Sequence, residues 1–351
     1  MTETDAVAPA AGKPPRGGPF AFVGAFTGFY PAEAAEFSHL DPVTRFLYAS
    51  RSVILVISAQ AALIAGLLAA TDRHFEVLPF VLLLLAYLVL HAISNLSNDY
   101  FGYRRGHDTV DSPRRRYTLH PIASGAVTPR LLAIGLAALG LLALAIAGYF
   151  IALRGWPALA LSVLGAILLY AYDAAPRALK ELGLGEVAAF VVWGPLMIGG
   201  GYYVITGVTS GAAYLASIPY GLGVASILIG KHIDQRSFDT SQDQRTLPVL
   251  LGERGARALN QLTVLGMYVL TLLGVLFGAL SPFALLVVLA APRAIRAWQV
   301  MSRPAPESAP PGYVGWPLWY HRVCLVHNRL FGWIFIAGLG IGALVPSLRV
   351  G

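Results

Sequence analysis

The chain has 351 residues, of which 56% are hydrophobic and only 12% are charged, and its mean hydropathy is +0.65. A soluble globular domain has about 25% charged residues, so this composition excludes an ordinary soluble protein and indicates a membrane protein. The net charge of +7 would suit nucleic-acid binding in a soluble chain. In a membrane protein, topology and anionic lipid explain it better, and we expect no nucleic-acid partner.

The first 40 residues differ in composition from the rest of the chain. Ala, Pro and Gly dominate residues 1–19, which contain no apolar run of the length that a secretory signal requires. We predict a cytoplasmic amino-terminal tail over residues 1–40, partly disordered or interfacial, and a single transmembrane domain over residues 41–351. The one cysteine, Cys324, excludes an internal disulfide and a cysteine-based metal site.

Apolar runs of the length needed to cross a bilayer, about 20 residues each, recur after residue 50. They are centred on residues 52–71, 78–97, 130–151, 157–172, 185–206, 213–230, 260–280, 282–300 and 330–346. The sequence therefore predicts an all-α fold, a polytopic membrane bundle of about nine transmembrane helices around a central cavity.

Basic residues orient this bundle. They concentrate before the first span and after the second, fourth, sixth and eighth spans, whereas the alternate loops hold little beyond Arg73 and Arg154. The positive-inside rule then places the amino terminus and the basic loops in the cytoplasm. We expect an integral, multi-pass protein of the cytoplasmic membrane.

A first acidic cluster ends the second span. Asn95, Asn98 and Asp99 stand at positions i, i+3 and i+4, so they share one helix face. Carboxylates at a membrane interface are costly unless they are solvated, paired or bound to a metal, and oxygen ligands suit Mg²⁺. Further candidates in the following segment are Arg105 for phosphate oxygens and Asp108 and Asp111 for the metal.

A second acidic cluster follows the sixth span. It contains Asp234, Asp239 and Asp243 and is followed by Arg245. Four spans separate the two clusters, so both emerge on the same face of the membrane and can share one cytoplasmic site. Two carboxylate clusters mixed with arginines indicate Mg²⁺ ions that hold a diphosphate.

Three motifs in this order resemble the UbiA superfamily of intramembrane prenyltransferases, and within it the 1,4-dihydroxy-2-naphthoate polyprenyltransferases. The matching residues are Asn95, Asn98, Asp99, Gly106 and Asp108 in the first motif, Tyr172, Pro176, Lys180 and residues 183–186 in the second, and Asp239 with residues 245–252 in the third. The resemblance extends from about residue 50 to residue 346. It implies an enzyme, a transferase of alkyl groups other than methyl.

The chain also departs from the family pattern. Gly102 stands where the family has its second aspartate, which removes one expected metal ligand, and Asp108 and Asp111 are the candidate substitutes. Asp234 is offset by one position from the family's first aspartate of the second cluster, and Asp243 occupies a usual glycine. These departures leave the metal coordination and the acceptor open.

The resemblance and the residues together imply a function. An allylic isoprenyl diphosphate would be ionised with the help of Mg²⁺, and an aromatic, quinone-precursor-like acceptor would take the prenyl group in a cavity open to the lipid bilayer. We expect Asp99, Asp239 and Lys180 to be catalytic. The expected diphosphate-binding residues are Asn95, Arg105, Tyr172, Lys180 and Arg245. The expected metal ligands are Asn98, Asp99, Asp108, Asp111, Asp234, Asp239 and Asp243.

Several questions stay open at this point. The cation could be quenched internally, in a membrane terpene cyclase without a separate acceptor. A more remote alternative is an ion-coupled transporter, although transporter sites lie near mid-membrane and these clusters lie at one face. Tyr172, Trp193, Tyr202 and Tyr203 are candidates to stabilise the cation, with bundle packing as the alternative. His232 would orient the acceptor, shuttle a proton or bond the helix end.

Overall fold

The structure is a computed structural model that describes residues 21–27, 40–106, 117, 120–123, 125, 127–313 and 315–345. Over these residues the chain is helical and contains no strand. Nine helices in this part of the chain are long and apolar enough to cross a membrane. They are α1 Ser52–Thr71, α2 Val77–Arg104, α3 Pro129–Arg154, α4 Trp156–Asp173, α5 Gly185–Thr206, α6 Gly211–Ser241, α7 Leu247–Leu276, α8 Pro282–Met301 and α9 Trp319–Leu344.

Local sequence signals mark where several helices begin. Thr128 precedes α3, and its hydroxyl accepts a hydrogen bond from the backbone N–H of Leu131 at 3.2 Å. Ser210 caps α6 in the same way through the N–H of Ala213 at 3.2 Å. Such caps satisfy donors that the first helical turn leaves unpaired, which matters most near hydrocarbon.

The all-α fold and the nine predicted spans are confirmed, but four helix ends differ from the prediction. The helices α2 and α6 continue to Arg104 and Ser241, well past residues 97 and 230. The helix α7 begins at Leu247 with a break at Gly252, and α9 begins at Trp319. Hydropathy falls where polar residues begin, whereas backbone hydrogen bonding continues through them, so both acidic clusters start on helices.

The helix α6 is the centre of the bundle and packs against α5, α7 and α9. The helices α3 and α4 lie at the periphery, where α3 packs on α2 and α4. Only 11% of the residues in the apolar stretches of α3 and α4 are buried, against 67% in α6. Such low burial within the protein is expected of helices that face lipid.

At one end of the bundle, polar contacts connect the loop after α1, the end of α3 and the end of α5. Arg154 Nη2 lies 2.6 Å from Glu76 Oε1, and the Tyr202 hydroxyl donates to Asp72 Oδ2 at 2.8 Å. Tyr203 donates to the carbonyl of Arg154 at 3.1 Å. The acidic clusters belong to the opposite end, as the span count predicts. Which end faces the cytoplasm stays a prediction.

The helix α5 is distorted at Trp193-Gly194-Pro195. Gly194 has φ −94° and ψ −105°, and the chain forms a π-helix over Val192–Gly199. Proline lacks a backbone N–H and clashes with the preceding turn, so it accounts for the distortion. A Cβ at Gly194 would lie 3.3 Å from the Cα of Gly221, so glycine also allows α5 and α6 to approach closely.

A cavity of about 590 Å³ opens between the helices. Its walls come from α1 to α6 and from the start of α9, whereas no residue of α7 or α8 in the described part of the chain lines it. Most lining side chains are apolar, and polar ones gather near the end that carries the acidic clusters.

Candidate active site

Three separate segments meet at Asp173, the last residue of α4. Its side chain is buried, with 1% of its surface exposed. The Oδ1 atom accepts a hydrogen bond from Asn98 Nδ2 on α2 at 2.7 Å and lies 2.7 Å from Lys180 Nζ in the α4–α5 connection. A carboxylate, an amide and an ammonium group therefore form one cluster at the polar end of the cavity.

Asp99 lies beside this cluster and pairs with Arg51. The Asp99 side chain is fully buried, and Arg51 Nη2 donates to its Oδ1 atom. The same guanidinium nitrogen lies 3.5 Å from Asn98 Oδ1. Arg51 has φ 55°, an uncommon left-handed conformation for a side chain of this size, and it immediately precedes α1. Residues held in such conformations cluster at functional sites.

Of the predicted diphosphate-binding residues, only Asn95 and Tyr172 line the cavity in the described part of the chain. Asn98, Arg51 and Asp173 line it as well. The Asn95 amide donates to the carbonyl of Ser50 at 2.9 Å, which ties α2 to the start of α1. Polar side chains from α1, α2 and α4 thus face the same space.

Arg105 holds a loop and does not point its donors at the cavity. Its guanidinium lies 3.3 Å from Glu181 Oε1 and donates to the carbonyls of Ala174 at 3.0 Å and Ala175 at 2.5 Å. These contacts fix the connection that carries Lys180. The contact of Arg105 with diphosphate stays a prediction.

The second cluster contributes one buried carboxylate. Asp239 is 4% exposed, and its Oδ2 accepts from the Thr246 hydroxyl at 3.2 Å. The backbone N–H of Arg245 donates to the carbonyl of Glu181 at 3.0 Å, which joins the α6–α7 turn to the loop of Lys180. The Arg245 side chain is exposed. Asp239 does not line the cavity.

The other predicted metal ligands lie elsewhere or outside the described residues. Both oxygens of Asp234 are occupied at 2.9 Å by the backbone N–H groups of Tyr320 and His321, so this carboxylate caps α9. Asp243 is exposed in a turn with φ 53°. Asp108 and Asp111 lie outside the residues that the structure describes.

The described part of the chain does not preform a metal cage from acidic side chains. Within the described ranges, no three His, Cys, Asp or Glu side chains gather as a metal-binding group. Mg²⁺ usually takes only one or two carboxylates and completes its shell with water and substrate phosphate. The buried Asp173 Oδ2 has no hydrogen-bond partner, which is costly for a carboxylate oxygen and suits a cation. Asn98, Asp99 and Asp173 therefore fit a metal ion.

The aromatic and histidine candidates also lie in different parts of the bundle. Tyr172 and Trp193 line the cavity, whereas the hydroxyls of Tyr202 and Tyr203 donate hydrogen bonds to groups at the opposite end of the bundle, away from the charged cluster. His232 Nδ1 lies 2.7 Å from Glu186 Oε1 in a buried pair. The Nδ1 atom is therefore paired with an acidic side chain of α5, and a contact of His232 with the acceptor stays a prediction.

Sequence reasoning missed two members of the site. Arg51 stood out only as a basic residue before the first span, and its contact with Asp99 depends on how α1 packs against α2. Asp173 had a visible signal, because a carboxylate at the end of an apolar span needs a partner. Lys180, seven positions further on, is that partner.

Comparison with known proteins places the chain in a family. The family model described as the UbiA prenyltransferase family matches residues 59–319. The 1,4-dihydroxy-2-naphthoate octaprenyltransferase of Escherichia coli (strain K12) is 30% identical over 253 residues, covering 68% of this chain and 79% of that protein. The protein of the same name in Bacillus subtilis (strain 168) is 25% identical over 248 residues, covering 71% of this chain and 79% of the relative.

Solved structures support the same fold. A UbiA homolog from Aeropyrum pernix K1 superposes with a TM-score of 0.60 at 20% identity, covering 82% of this chain and 97% of that chain. A UbiA homolog from Archaeoglobus fulgidus gives 0.58 at 17% identity, covering 86% and 99%. At such identities the structural likeness concerns the fold alone, and the family model carries the assignment. The chain belongs to the UbiA prenyltransferase family, as its motifs predict, and is an enzyme of the prenyltransferase class.

Proposed function

We propose that this enzyme is an Mg²⁺-dependent intramembrane prenyltransferase that ionises an allylic isoprenyl diphosphate and transfers the prenyl group to a naphthoate-like aromatic acceptor. One observation carries the proposal: Asn98 and Asp173 line the polar end of an apolar cavity of about 590 Å³, and Asp173 pairs with Lys180. A substrate with a charged head and a long apolar tail needs both features. The names of the E. coli and B. subtilis relatives support the acceptor class.

The charged residues divide into two roles in this proposal. Asn98, Asp99 and Asp173 would hold one Mg²⁺, with Asp173 in place of the aspartate that is absent at Gly102, and Asp239 would serve the second cluster. Mg²⁺ bound there would neutralise the negative charge that develops on the diphosphate as its C–O bond breaks.

Lys180 and Arg51 are the proposed cationic contacts to the leaving group. An ammonium group has three donors, of which Lys180 directs one at Asp173. The others are available to phosphate oxygens. The Arg51 guanidinium offers planar, forked donors that match phosphate geometry. Arg245, exposed in the turn after Asp239, completes the proposed set.

The cavity would protect the allylic cation from water. Its apolar walls exclude solvent from the reacting carbon, and the faces of Tyr172 and Trp193 are close enough to the space to stabilise a cation. The weakly buried helices α3 and α4 separate this space from lipid, where the prenyl tail would extend. We place the charged end toward the cytoplasm, on the positive-inside rule.

The test is Mg²⁺-dependent pyrophosphate release by detergent-purified protein. Geranyl, farnesyl and geranylgeranyl diphosphate are each supplied with and without 1,4-dihydroxy-2-naphthoate. We expect release that requires the acceptor, yields a prenylated product, stops with EDTA and is lost in Asp99→Ala and Asp239→Ala. Asp72→Asn, a carboxylate change at the opposite end, is the matched control and should release pyrophosphate normally.

Two outcomes would contradict the proposal. Release without acceptor, together with a cyclic hydrocarbon or alcohol, would assign a terpene cyclase. No release from any donor, with the protein folded, would remove the prenyl-transfer proposal and favour the transporter alternative.

A further inference from the structure

A buried polar relay lies in the cavity wall, apart from the charged cluster. Ser58 on α1, His91 on α2 and Trp193 on α5 all line the cavity. The Ser58 hydroxyl lies 2.8 Å from His91 Nδ1, and Trp193 Nε1–H donates to the same hydroxyl oxygen at 3.0 Å. The imidazole and indole rings also meet edge to face, with centroids 5.2 Å apart. Three helices therefore fix the orientation of one histidine.

The relay assigns the tautomer of His91. An indole N–H can only donate, so it occupies an acceptor position on the Ser58 oxygen. The Ser58 hydroxyl has no other acceptor among the described residues, so its single hydrogen points to His91 Nδ1. A neutral imidazole that accepts at Nδ1 carries its hydrogen on Nε2. His91 is therefore a donor at Nε2.

This donor lacks a protein partner. No hydrogen-bond partner for His91 Nε2 is found in the part of the chain that the structure describes, and the side chain is only 7% exposed. His91 lines the cavity, and a donor without a protein partner in a mostly apolar wall calls for an oxygen from a ligand or a water.

The position of His91 indicates which substrate supplies that oxygen. His91 precedes Asn95 by one helical turn and Asp99 by two, so it lies about 6 and about 12 Å deeper along α2 than these residues, at 1.5 Å per residue. The diphosphate would occupy the outer level, and a prenyl tail has no hydrogen-bond acceptor. Two fused aromatic rings placed against the reacting carbon would bring a ring oxygen to this depth.

We propose that His91, held by Ser58 and Trp193, is a specificity-determining residue that donates from Nε2 to a ring oxygen of the aromatic acceptor. The inference rests on the proposed prenyl transfer and deepens it by naming the group that recognises the acceptor. Trp193 belongs to the distorted stretch of α5 at Trp193-Gly194-Pro195. Distortions of this type in helices are frequent at functional sites.

The experiment separates acceptor recognition from donor binding. His91→Asn retains a polar atom near Nδ1 and loses the one near Nε2, whereas the longer His91→Gln returns a donor near Nε2. In His91→Asn we expect the KM for 1,4-dihydroxy-2-naphthoate to rise about tenfold, the effect of one unmet buried hydrogen bond. The KM for geranylgeranyl diphosphate should stay within about twofold. His91→Gln should recover most of the loss.

A ligand pair tests the same bond without changing the histidine. We compare equilibrium binding of 1,4-dihydroxy-2-naphthoate and 2-naphthoate, which lacks the ring hydroxyls, to wild type and Ser58→Ala in nanodiscs. Wild type should prefer the hydroxylated ligand about tenfold, and Ser58→Ala, which frees the imidazole to rotate, should lose most of that preference. This arm applies even if the His91 variants do not fold.

The outcomes distinguish this inference from the proposed function. A wild-type enzyme that prenylates no aromatic acceptor would contradict the proposed function itself. An active wild type with an unchanged acceptor KM in His91→Asn, or an unchanged ligand preference in Ser58→Ala, would show that Nε2 binds only water. Equal rises of both KM values would show a packing role, and either result overturns the inference.

Discussion

Replacing Asp173 by asparagine tests whether this carboxylate holds a metal ion or only holds Lys180. In the structure, Oδ1 receives Asn98 and Lys180, each at 2.7 Å, and Oδ2 has no partner. Asparagine retains an oxygen that can accept both bonds, so the local geometry should persist. What is lost is the negative charge, and with it the ionised oxygen available to Mg²⁺.

The expected effects on stability and activity differ widely. Replacing the charged acceptor by a neutral one should cost about 1 kcal/mol of folding free energy. The share of this cost that comes from the Lys180 ion pair is smaller, because solvent screens the partly exposed Lys180 side chain. Removing one preorganised electrostatic group from an active site typically lowers kcat by about 100-fold or more. Asp173→Asn should therefore fold nearly as well as wild type and release pyrophosphate at about 1% of its rate.

Three measurements on the same preparation check this. Thermal unfolding reports stability, pyrophosphate release reports the rate, and Mn²⁺ electron paramagnetic resonance with inorganic pyrophosphate reports metal affinity, which should fall about tenfold or more. Asp72→Asn is the matched control, since this carboxylate accepts from Tyr202 at the opposite end of the bundle. Wild-type rate and Mn²⁺ affinity in Asp173→Asn would refute the assignment of Asp173 to the metal.

Three further changes test other parts of the site. Lys180→Gln should lower kcat about tenfold to 100-fold with farnesyl diphosphate through the loss of charge at the leaving group, and an unchanged kcat would exclude that contact. Asp234→Ala should cost about 1–2 kcal/mol of stability, measured by thermal unfolding, because it uncaps α9. Its Mn²⁺ affinity should not change, and a loss of affinity would return this residue to the metal site. Tyr202→Phe should leave pyrophosphate release within about twofold of wild type, since its hydroxyl lies at the far end, and a large loss would contradict that placement.

The fold was predictable because the membrane imposes a simple rule. Backbone groups in hydrocarbon must be satisfied within a helix, so each apolar run of sufficient length is a span. The ends were less predictable, since helical hydrogen bonding in α2 and α6 continues through Asn98, Asp99 and Asp239 after hydropathy has fallen. The hydropathy pattern thus locates the helices, but it does not show where they end when the last turns contain polar residues.

The site was predictable only in part. The i, i+3, i+4 spacing brought Asn95, Asn98 and Asp99 to one face, and Lys180 followed from the resemblance. Asp234 carried the same sequence signal as a metal ligand, but its partners are backbone N–H groups of α9, which no side-chain pattern encodes. Likewise, the partner of His91 is a serine on another helix. Contacts between helices decide these roles, and a single sequence does not specify them.

The weak packing of α3 and α4 has a consequence for how the enzyme can change. The helices α3 and α4 form the outer wall of the cavity but contribute little buried core. Gly140 and Gly165 lie on that wall, and a Cβ at Gly140 would meet no atom within 4 Å. Larger side chains there would shorten the space for a prenyl tail without disturbing α6 and its neighbours. Substrate range can therefore evolve, or be engineered, largely independently of folding.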